Sequence, residues 1–194
     1  MSYNSKIHNR RSIRLKGYNY ANAGLYFITI CCEHRKHRFG KIENDEITLN
    51  EFGQIAYGEW VKLANRFINF ELDVFQIMPN HMHGIIGVKE FVGAEFNHAQ
   101  FDIDHLVLGQ PQELPPQFDP DYLKKTVGDI VGAYKSLVAN ECLQICKLKN
   151  ETMGKLWQRN YYEHIIRDEK AYQNISDYII NNPSKWSNDK FSSK

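Results

Sequence analysis

Apolar positions along the chain follow patterns that predict several β-strands. The segment "LYFITICC" at 25–32 is aromatic, β-branched and apolar on both alternations, which is typical of a central strand buried on both faces. The segment "FGKIENDEITL" at 39–49 predicts a short hairpin that turns at its "ND" dipeptide. The segments "ELDVFQIM" at 71–78 and "MHGIIGV" at 82–88 predict two more strands, joined by a tight "PN" turn.

Helical periodicity appears in three further segments. An amphipathic helix is predicted at about 50–67, with Thr48 and Glu51 at capping-box spacing near its start. A second helix is predicted at about 121–140. A third is predicted at about 168–181, where the following proline ends it.

The order of these elements predicts the fold class. The segment "KLWQRNYYEHII" at 155–166 is aromatic and β-prone, and it predicts one strand or two short ones. The full order is therefore β, β-hairpin, α, β, β, α, β, α. This order indicates an α+β sandwich, in which helices pack on a mostly antiparallel sheet. Residues 89–120 lack periodicity and are interpreted as an irregular insertion, since loops of this length are usually functional or disordered.

Length and composition exclude several classes of protein. A chain of 194 residues has room for one substantial core, and 42% hydrophobic with 24% charged residues is typical of a globular protein. The polar, basic N-terminus has no apolar leader, and no run approaches the ~18 apolar residues of a membrane span, so we expect a cytoplasmic protein without a membrane partner. Neither pair among the four cysteines has C-x-x-C spacing, and we interpret them as buried thiols.

The net charge of +1 conceals a strong asymmetry. Residues 1–20 hold five basic residues and no acidic one, whereas residues 90–123 hold seven acidic residues and no lysine or arginine. The basic N-terminal arm is either a nucleic-acid contact or a solvated terminus. The five basic residues of the arm are Lys6, Arg10, Arg11, Arg14 and Lys16.

Two histidines, His81 and His83, lie one residue apart in the stretch "MPNHMHG". In a strand, side chains at i and i+2 lie on the same face, so the two imidazoles converge. They are candidates for a metal site or for contacts to phosphate, and a metal would need at least one further ligand. The cysteine-histidine stretch "CCEHRKH" does not have common zinc spacing, and no H-E-x-x-H, G-K-[ST] or G-x-S-x-G motif is present.

The last predicted helix offers further candidates in "SDYIINNP". Tyr178 and Asn182 are four residues apart and project from one helix face. Core packing is the alternative, because the chain has 11 tyrosines and such a pair arises easily by chance.

Five blocks of the chain resemble, in the same order, the REP-associated tyrosine transposases, bacterial relatives of the single-tyrosine HUH transposases (U is a hydrophobic residue). The resemblance runs from about Arg10 to Trp186 and leaves out only residues 89–120. The HUH element alone is weak, but five blocks in register are specific. The blocks are "RRSIRLKGYNYANAGLYFITICC", "MPNHMHGII", "VGAYKSLV", "LWQRNYYEHIIRDE" and "DYIINNPSKW".

The resemblance implies a ferredoxin-like fold and a role for each matching residue. His81 and His83 match the HUH pair that binds a divalent ion, Tyr178 matches the nucleophilic tyrosine, and Asn182 matches the polar residue that completes the metal shell. The implied cofactor is Mg²⁺ or Mn²⁺, and two imidazoles with an amide suit Mn²⁺ better. The other matching residues are interpreted as structural or DNA-positioning: Lys135, Trp157, Arg159, Glu163, His164 and Arg167.

The function implied by the resemblance is cleavage and rejoining of single-stranded DNA at a hairpin or palindromic repeat, through a 5′-phosphotyrosine intermediate. DNA contacts are expected from the arm residues Arg10, Arg11 and Arg14, and from Lys135, Arg159 and Arg167. The expected organisation is a basic arm at 1–20, one catalytic domain at 21–186 and a tail at 187–194, in a monomer or homodimer.

Two other functions remain open. The chain is alternatively a domesticated DNA-binding protein that keeps the fold and no longer cuts, although such a protein has no need of the two histidines together with the tyrosine. A metal-dependent hydrolase that uses water would require a general base near the histidine pair, and none is apparent.

Overall fold

The computed structural model describes residues 17–67, 69–89 and 125–192. Arg10, Arg11 and Arg14 of the predicted arm lie outside the described residues, as does the insertion from residue 90 onward.

The described elements follow the predicted order of strands and helices. The strands are β1 (Gly24–Cys31), β2 (Gly40–Glu43), β3 (Glu46–Leu49), β4 (Phe70–Met78), β5 (His81–Val88) and β6 (Tyr162–Ile166). The helices are α1 (Glu51–Lys62), α2 (Val127–Leu148) and α3 (Glu169–Ile180). Strands β4, β5, β1 and β6 form one antiparallel sheet in that order, and β2 and β3 form a separate hairpin. The predicted α+β class with a mostly antiparallel sheet is therefore confirmed.

The hairpin turns at the predicted dipeptide. Asn44 and Asp45 have φ of 52° and 63°, and a two-residue hairpin turn with both central residues at positive φ is of type I′. Asparagine and aspartate tolerate this left-handed region better than other non-glycine residues.

Three helix ends differ from the prediction: α1 ends at Lys62 and not near 67, and α2 spans Val127–Leu148 and not about 121–140. Asn50 caps α1 by accepting a hydrogen bond from the Gly53 amide at 3.0 Å, so the capping box predicted from Thr48 is wrong. A capping box instead begins α2, where Thr126 and Asp129 bond reciprocally. Helix α2 also continues to Leu148, well beyond the predicted end, because its buried stripe extends through two of the cysteines.

The two faces of the sheet pack against different helices. Helices α1 and α2 cover one face, where Trp60 and Tyr134 meet edge to face at 5.1 Å. Helix α3 covers the other face, where Ile179 packs with Ile85 and Ile166. The predicted sandwich is confirmed, and the histidine pair lies on the face covered by α3. Among the described residues, no helix combines the length and the apolar composition that crossing a bilayer requires.

Candidate active site

The paired histidines lie at the start of β5, the second strand of the sheet. His81 is opposite Cys31 and His83 is opposite Thr29 on β1, and all eight residues of β5 are buried. The two imidazoles are on one face as predicted, with their Nε2 atoms 2.9 Å apart. The chain therefore presents two ring nitrogens to one point.

Asn80 determines which nitrogen of His81 carries the proton. The Asn80 Nδ2 atom donates to the carbonyl oxygens of Arg35 at 3.0 Å and Phe191 at 2.7 Å, so its Oδ1 is the atom that faces His81 Nδ1 at 2.8 Å. Because Oδ1 only accepts hydrogen bonds, His81 Nδ1 must be the donor. The Nε2 lone pair of His81 is then directed at His83 Nε2. His83 Nδ1 lies 2.8 Å from the Thr29 hydroxyl, which can donate or accept.

Both imidazoles are neutral near pH 7. Burial, together with the nearby Arg35 and Lys190 charges, lowers the pKa of His81 to about 3. Burial and the neighbouring His81 lower the pKa of His83 well below its ordinary value. Neutral imidazole is the form that binds metals.

Helix α3 brings Tyr178 to this pair. Its hydroxyl lies 3.2 Å from His83 Nε2, and the two rings meet at a centroid distance of 5.1 Å. Phe27 of β1 packs edge-on against the tyrosine at 6.3 Å and stacks on His83 at 5.3 Å. The aromatic contacts hold the tyrosine oxygen at the edge of the histidine pair.

Asn182 follows the end of α3 and is 1% exposed. Its Nδ2 atom donates to Asp189 Oδ2 at 2.8 Å, and the Tyr178 hydroxyl donates to the same oxygen at 3.2 Å. The Oδ1 atom of Asn182 is buried and has no hydrogen-bond partner. Burial, and then the Asp189 carboxylate, raise the pKa of Tyr178 above its ordinary value.

The sequence analysis assigned no role to Asp189 or Phe191, and the structure places both at the site. They belong to residues 186–191, called here the tail segment, which overlaps the predicted tail at 187–194. The Phe191 ring lies 4.7 Å from that of His81, and Trp186 stacks on His81 at 5.9 Å. The hydrogen bond from Arg35 to the Lys190 carbonyl, 2.9 Å long, helps to hold the segment. Phe191 is an aromatic residue among polar ones, and this was the signal in the sequence that could have identified the segment.

The donor set fits a divalent cation. Two ligands that bind one cation at about 2.1 Å and at right angles are about 3.0 Å apart, close to the 2.9 Å between the two Nε2 atoms. Asn182 Oδ1 is buried and accepts no hydrogen bond, so it is a candidate oxygen ligand for a cation. In the described part of the chain no group of three or more His, Cys, Asp or Glu could hold a metal ion.

Comparisons with known proteins show which proteins the chain resembles. No family model matches the chain. An uncharacterised protein of Haemophilus influenzae is 42% identical over 188 residues, which are 96% of this chain and 95% of that protein. A second protein of the same organism, described as "Putative REP-associated tyrosine transposase", is 29% identical over 168 residues, 86% of this chain and 74% of its own. The solved structure of a REP-associated tyrosine transposase bound to a REP hairpin covers 90% of this chain and 74% of its own, with 19% identity and a TM-score of 0.54, which shows a shared fold.

The chain resembles the REP-associated tyrosine transposases in sequence and shares the fold of a solved member. The residues that carried the resemblance in the sequence fall into two groups in the structure. Tyr178 lies against the histidine pair, and Asn182 is linked to the tyrosine through the Asp189 carboxylate. Lys135 is on α2, Trp157 and Arg159 are in the segment that connects α2 to β6, and Glu163, His164 and Arg167 are on β6 or directly after it.

Lys135 holds this connecting segment. Its ammonium group donates to the carbonyl oxygens of Gln158 at 2.7 Å and Arg159 at 3.0 Å, and burial lowers its pKa. Trp157 donates through Nε1 to the Lys135 carbonyl at 3.0 Å. The side chains of Arg159 and Arg167 are exposed. Lys135, which was expected to contact DNA, therefore donates to main-chain carbonyls within the fold.

Proposed function

We propose that the protein cleaves and rejoins single-stranded DNA at hairpin or palindromic repeat sequences through a 5′-phosphotyrosine link on Tyr178. The observation that carries this proposal is the tyrosine hydroxyl 3.2 Å from His83 Nε2, which itself lies 2.9 Å from His81 Nε2. Asn182 donates to the same Asp189 oxygen as the tyrosine. Core packing alone does not explain two buried neutral imidazoles and an unpaired amide oxygen beside a tyrosine hydroxyl.

The reaction exchanges one phosphodiester for another. The Tyr178 oxygen bonds to the scissile phosphorus and loses its proton, and the bond from phosphorus to the 3′ oxygen breaks. The leaving oxygen takes up a proton and becomes a free 3′-OH, which later attacks the phosphotyrosine to reseal a strand. Because the bond energy is kept in the covalent link, no external energy source is required.

The chain's own residues prepare the attack. Asp189 Oδ2 accepts the hydrogen bond of the Tyr178 hydroxyl at 3.2 Å, so the phenol oxygen is oriented before DNA binds. Asn80 and Thr29 hold the imidazoles by their Nδ1 atoms and direct both Nε2 atoms to the same point.

His81, His83 and Asn182 are the residues that would hold Mg²⁺ or Mn²⁺. When bound, the cation supplies positive charge at the scissile phosphate, where negative charge develops during the exchange. Such charge is needed because the pKa of Tyr178 is raised, which makes an isolated phenol at this position a poor nucleophile.

The DNA-contact residues are also part of the proposal. The arm residues Arg10, Arg11 and Arg14, with Arg159 and Arg167, would track phosphates and orient the hairpin. A relative is solved with a REP hairpin bound, which supports hairpin DNA as the substrate of this chain.

The second candidate function is DNA binding without cleavage. The observation that favours it is the contact between Asp189 and Tyr178, since a carboxylate beside the phenol raises its pKa and opposes its ionisation.

Incubation with single-stranded hairpins and Mn²⁺ or Mg²⁺, followed by denaturing electrophoresis, separates the two functions. We expect a protein–DNA adduct with the wild type and none with Tyr178→Phe, which removes only the attacking oxygen. Tyr172→Phe, six residues earlier on the same helix, is the control and should keep the adduct.

The two failures of this experiment are distinct. If Tyr178→Phe still forms the adduct, another tyrosine is the nucleophile, and Tyr161 and Tyr162 beside the site are the next to replace. If the wild type binds hairpins and gives no adduct with either metal, the protein is a DNA-binding module.

A further inference from the structure

A cleft of about 510 Å³ opens beside Tyr178. Its size is within the ~300–1,000 Å³ range of small-ligand sites. Tyr178 and His83 line it, and residues 158 and 160–162 form a wall of it. The side chains that give the cleft its chemistry are those of Phe27, Gln158, Asn160, Tyr161, Tyr162 and Arg35.

The register of the sheet places Tyr162 in line with the histidine pair. Thr29 is opposite His83 on one side and opposite Tyr162 on the other, so the three side chains lie on the same face. The backbones of His83 and Tyr162 are two strand spacings apart, about 10 Å. Tyr162 is 51% exposed and contacts Phe27 edge to face at 6.3 Å. A large aromatic ring is thus presented to the cleft at a fixed position in the sheet, two strands from His83.

The wall that carries Gln158 is held rigidly by the core. The main-chain N–H of Gln158 donates to the Cys31 carbonyl at 2.9 Å. The main-chain carbonyl of Gln158 accepts from Lys135 Nζ at 2.7 Å. One residue earlier, Trp157 is paired with Cys32 and buried. The backbone of this wall does not need to be ordered when a ligand binds, which lowers the cost of binding.

The chemistry of the cleft matches an unpaired nucleotide. Aromatic faces stack on bases, and the side-chain amides of Gln158 and Asn160 carry both a donor and an acceptor for a base edge. Arg35 and Lys190 line the same cleft and provide positive charge for the phosphate backbone. An acidic peptide would use the cations but would leave the aromatic wall and the two amides without a role.

We propose that this cleft binds the single unpaired nucleotide that adjoins the scissile phosphate. Its base stacks on Tyr162, and the amides of Gln158 and Asn160 select its identity. The inference rests on the proposed function for the position of the phosphate, and it makes the wall at 158–162 the determinant of where a strand is cut.

The test uses binding in a Tyr178→Phe background, so it does not depend on cleavage. A hairpin with single-stranded flanks is first selected by binding to this variant from a pool of randomised flanks. Tyr162→Ala is then compared with Tyr57→Ala, a tyrosine of equal exposure (50%) on α1 that lies outside the cleft. We expect Tyr162→Ala to weaken binding about five- to hundredfold, the loss of one base–aromatic stack, and Tyr57→Ala to have no effect.

An abasic nucleotide moved along the flank locates the base. At one position it should weaken binding as much as Tyr162→Ala does, and at that position the two changes should not add. Replacing Gln158 or Asn160 with alanine should reduce the difference in affinity among the four bases there. Unfolding by urea should be unchanged in Tyr162→Ala, because its side chain is half exposed.

Three results would overturn the proposal. They are equal effects of Tyr162→Ala and Tyr57→Ala, additive losses at every abasic position, or failure of any hairpin to bind. Wild-type protein that binds through this cleft but never forms an adduct would refute the proposed cleavage and leave the nucleotide site standing.

Discussion

Asn80 is the residue on which the chemistry of the histidine pair depends most directly. Its amide is fixed by two main-chain carbonyls and leaves only an acceptor for His81. Ligands oriented in this way bind metal more tightly, since the correct tautomer is formed before the ion arrives. The same amide ties the tail segment to the turn before β5 through Phe191.

Replacing Asn80 with alanine should weaken Mn²⁺ binding about ten- to hundredfold, the usual cost of losing such a partner. Isothermal titration calorimetry measures this directly, with thermal unfolding as a check on the fold. Asn174→Ala, at an exposed position on α3, is the matched control. Equal affinities for the two variants would show that Asn80 does not orient the ligand.

Gly84, directly after the histidine pair, is required for packing. A Cβ at this position would meet Cζ2 of the fully buried Trp60 at 2.8 Å. Gly84→Ala should therefore lower the free energy of unfolding by about 1–3 kcal/mol, the usual cost of overpacking. Gly132→Ala, on an exposed face of α2 with nothing within 4 Å, should instead raise it by about 0.5–1 kcal/mol. Denaturation by urea measures both, and a stable Gly84→Ala would mean that the tryptophan ring can move aside.

At the scale of elements, α3 decides whether Tyr178 reaches the histidines. The helix packs through a small apolar cluster in which Ile179, the residue after the tyrosine, is fully buried. Ile180, the next residue, is 60% exposed. Ile179, which packs the helix on the sheet, and Tyr178, the proposed nucleophile, are thus adjacent residues of α3.

Ile179→Ala should destabilise the protein by about 2–5 kcal/mol through the cavity that it leaves beside the sheet. Ile180→Ala should change the free energy of unfolding by less than about 0.5 kcal/mol. Urea denaturation monitored by circular dichroism compares the two. If both variants were equally stable, α3 would not be held by this cluster.

The whole molecule should lose stability in mild acid because of its two buried neutral imidazoles. The unfolded chain takes up these protons near pH 6.5, whereas folded His81 resists protonation until about pH 3 and the pKa of His83 is also lowered. Between these values the unfolded state binds more protons, so the free energy of unfolding falls as pH falls, by about 1.4 kcal/mol per pH unit for each proton.

Urea denaturation with a chelator present, at several pH values from 7 to 4, measures this slope. His81→Gln should flatten it, while His164→Gln, at an exposed position on β6, should leave it unchanged. An identical slope in wild type and His81→Gln would show that His81 is not held neutral by burial.

Sequence periodicity predicted the order of elements because local pattern determines which segments form strands and helices. The same-face placement of His81 and His83 was predictable for that reason, since it needs only the two-residue repeat of a strand. The contact of Asp189 with Tyr178 was not, because it depends on how the chain folds back after α3. The cleft was also not predictable. Residues 158 and 160–162 form a wall of it, and sequence periodicity does not indicate how that segment runs through the fold.

The stacking of Trp186 on His81 gives the protein an optical reporter. Of the three tryptophans, Trp60 and Trp157 are buried in the core on the opposite face of the sheet, whereas Trp186 is half-buried beside the histidine pair. Mn²⁺ is paramagnetic and quenches nearby indole fluorescence, so its arrival should dim the emission of Trp186 and spare the other two. A strand that enters the site should shift the same emission, which allows occupancy to be followed in real time without any label.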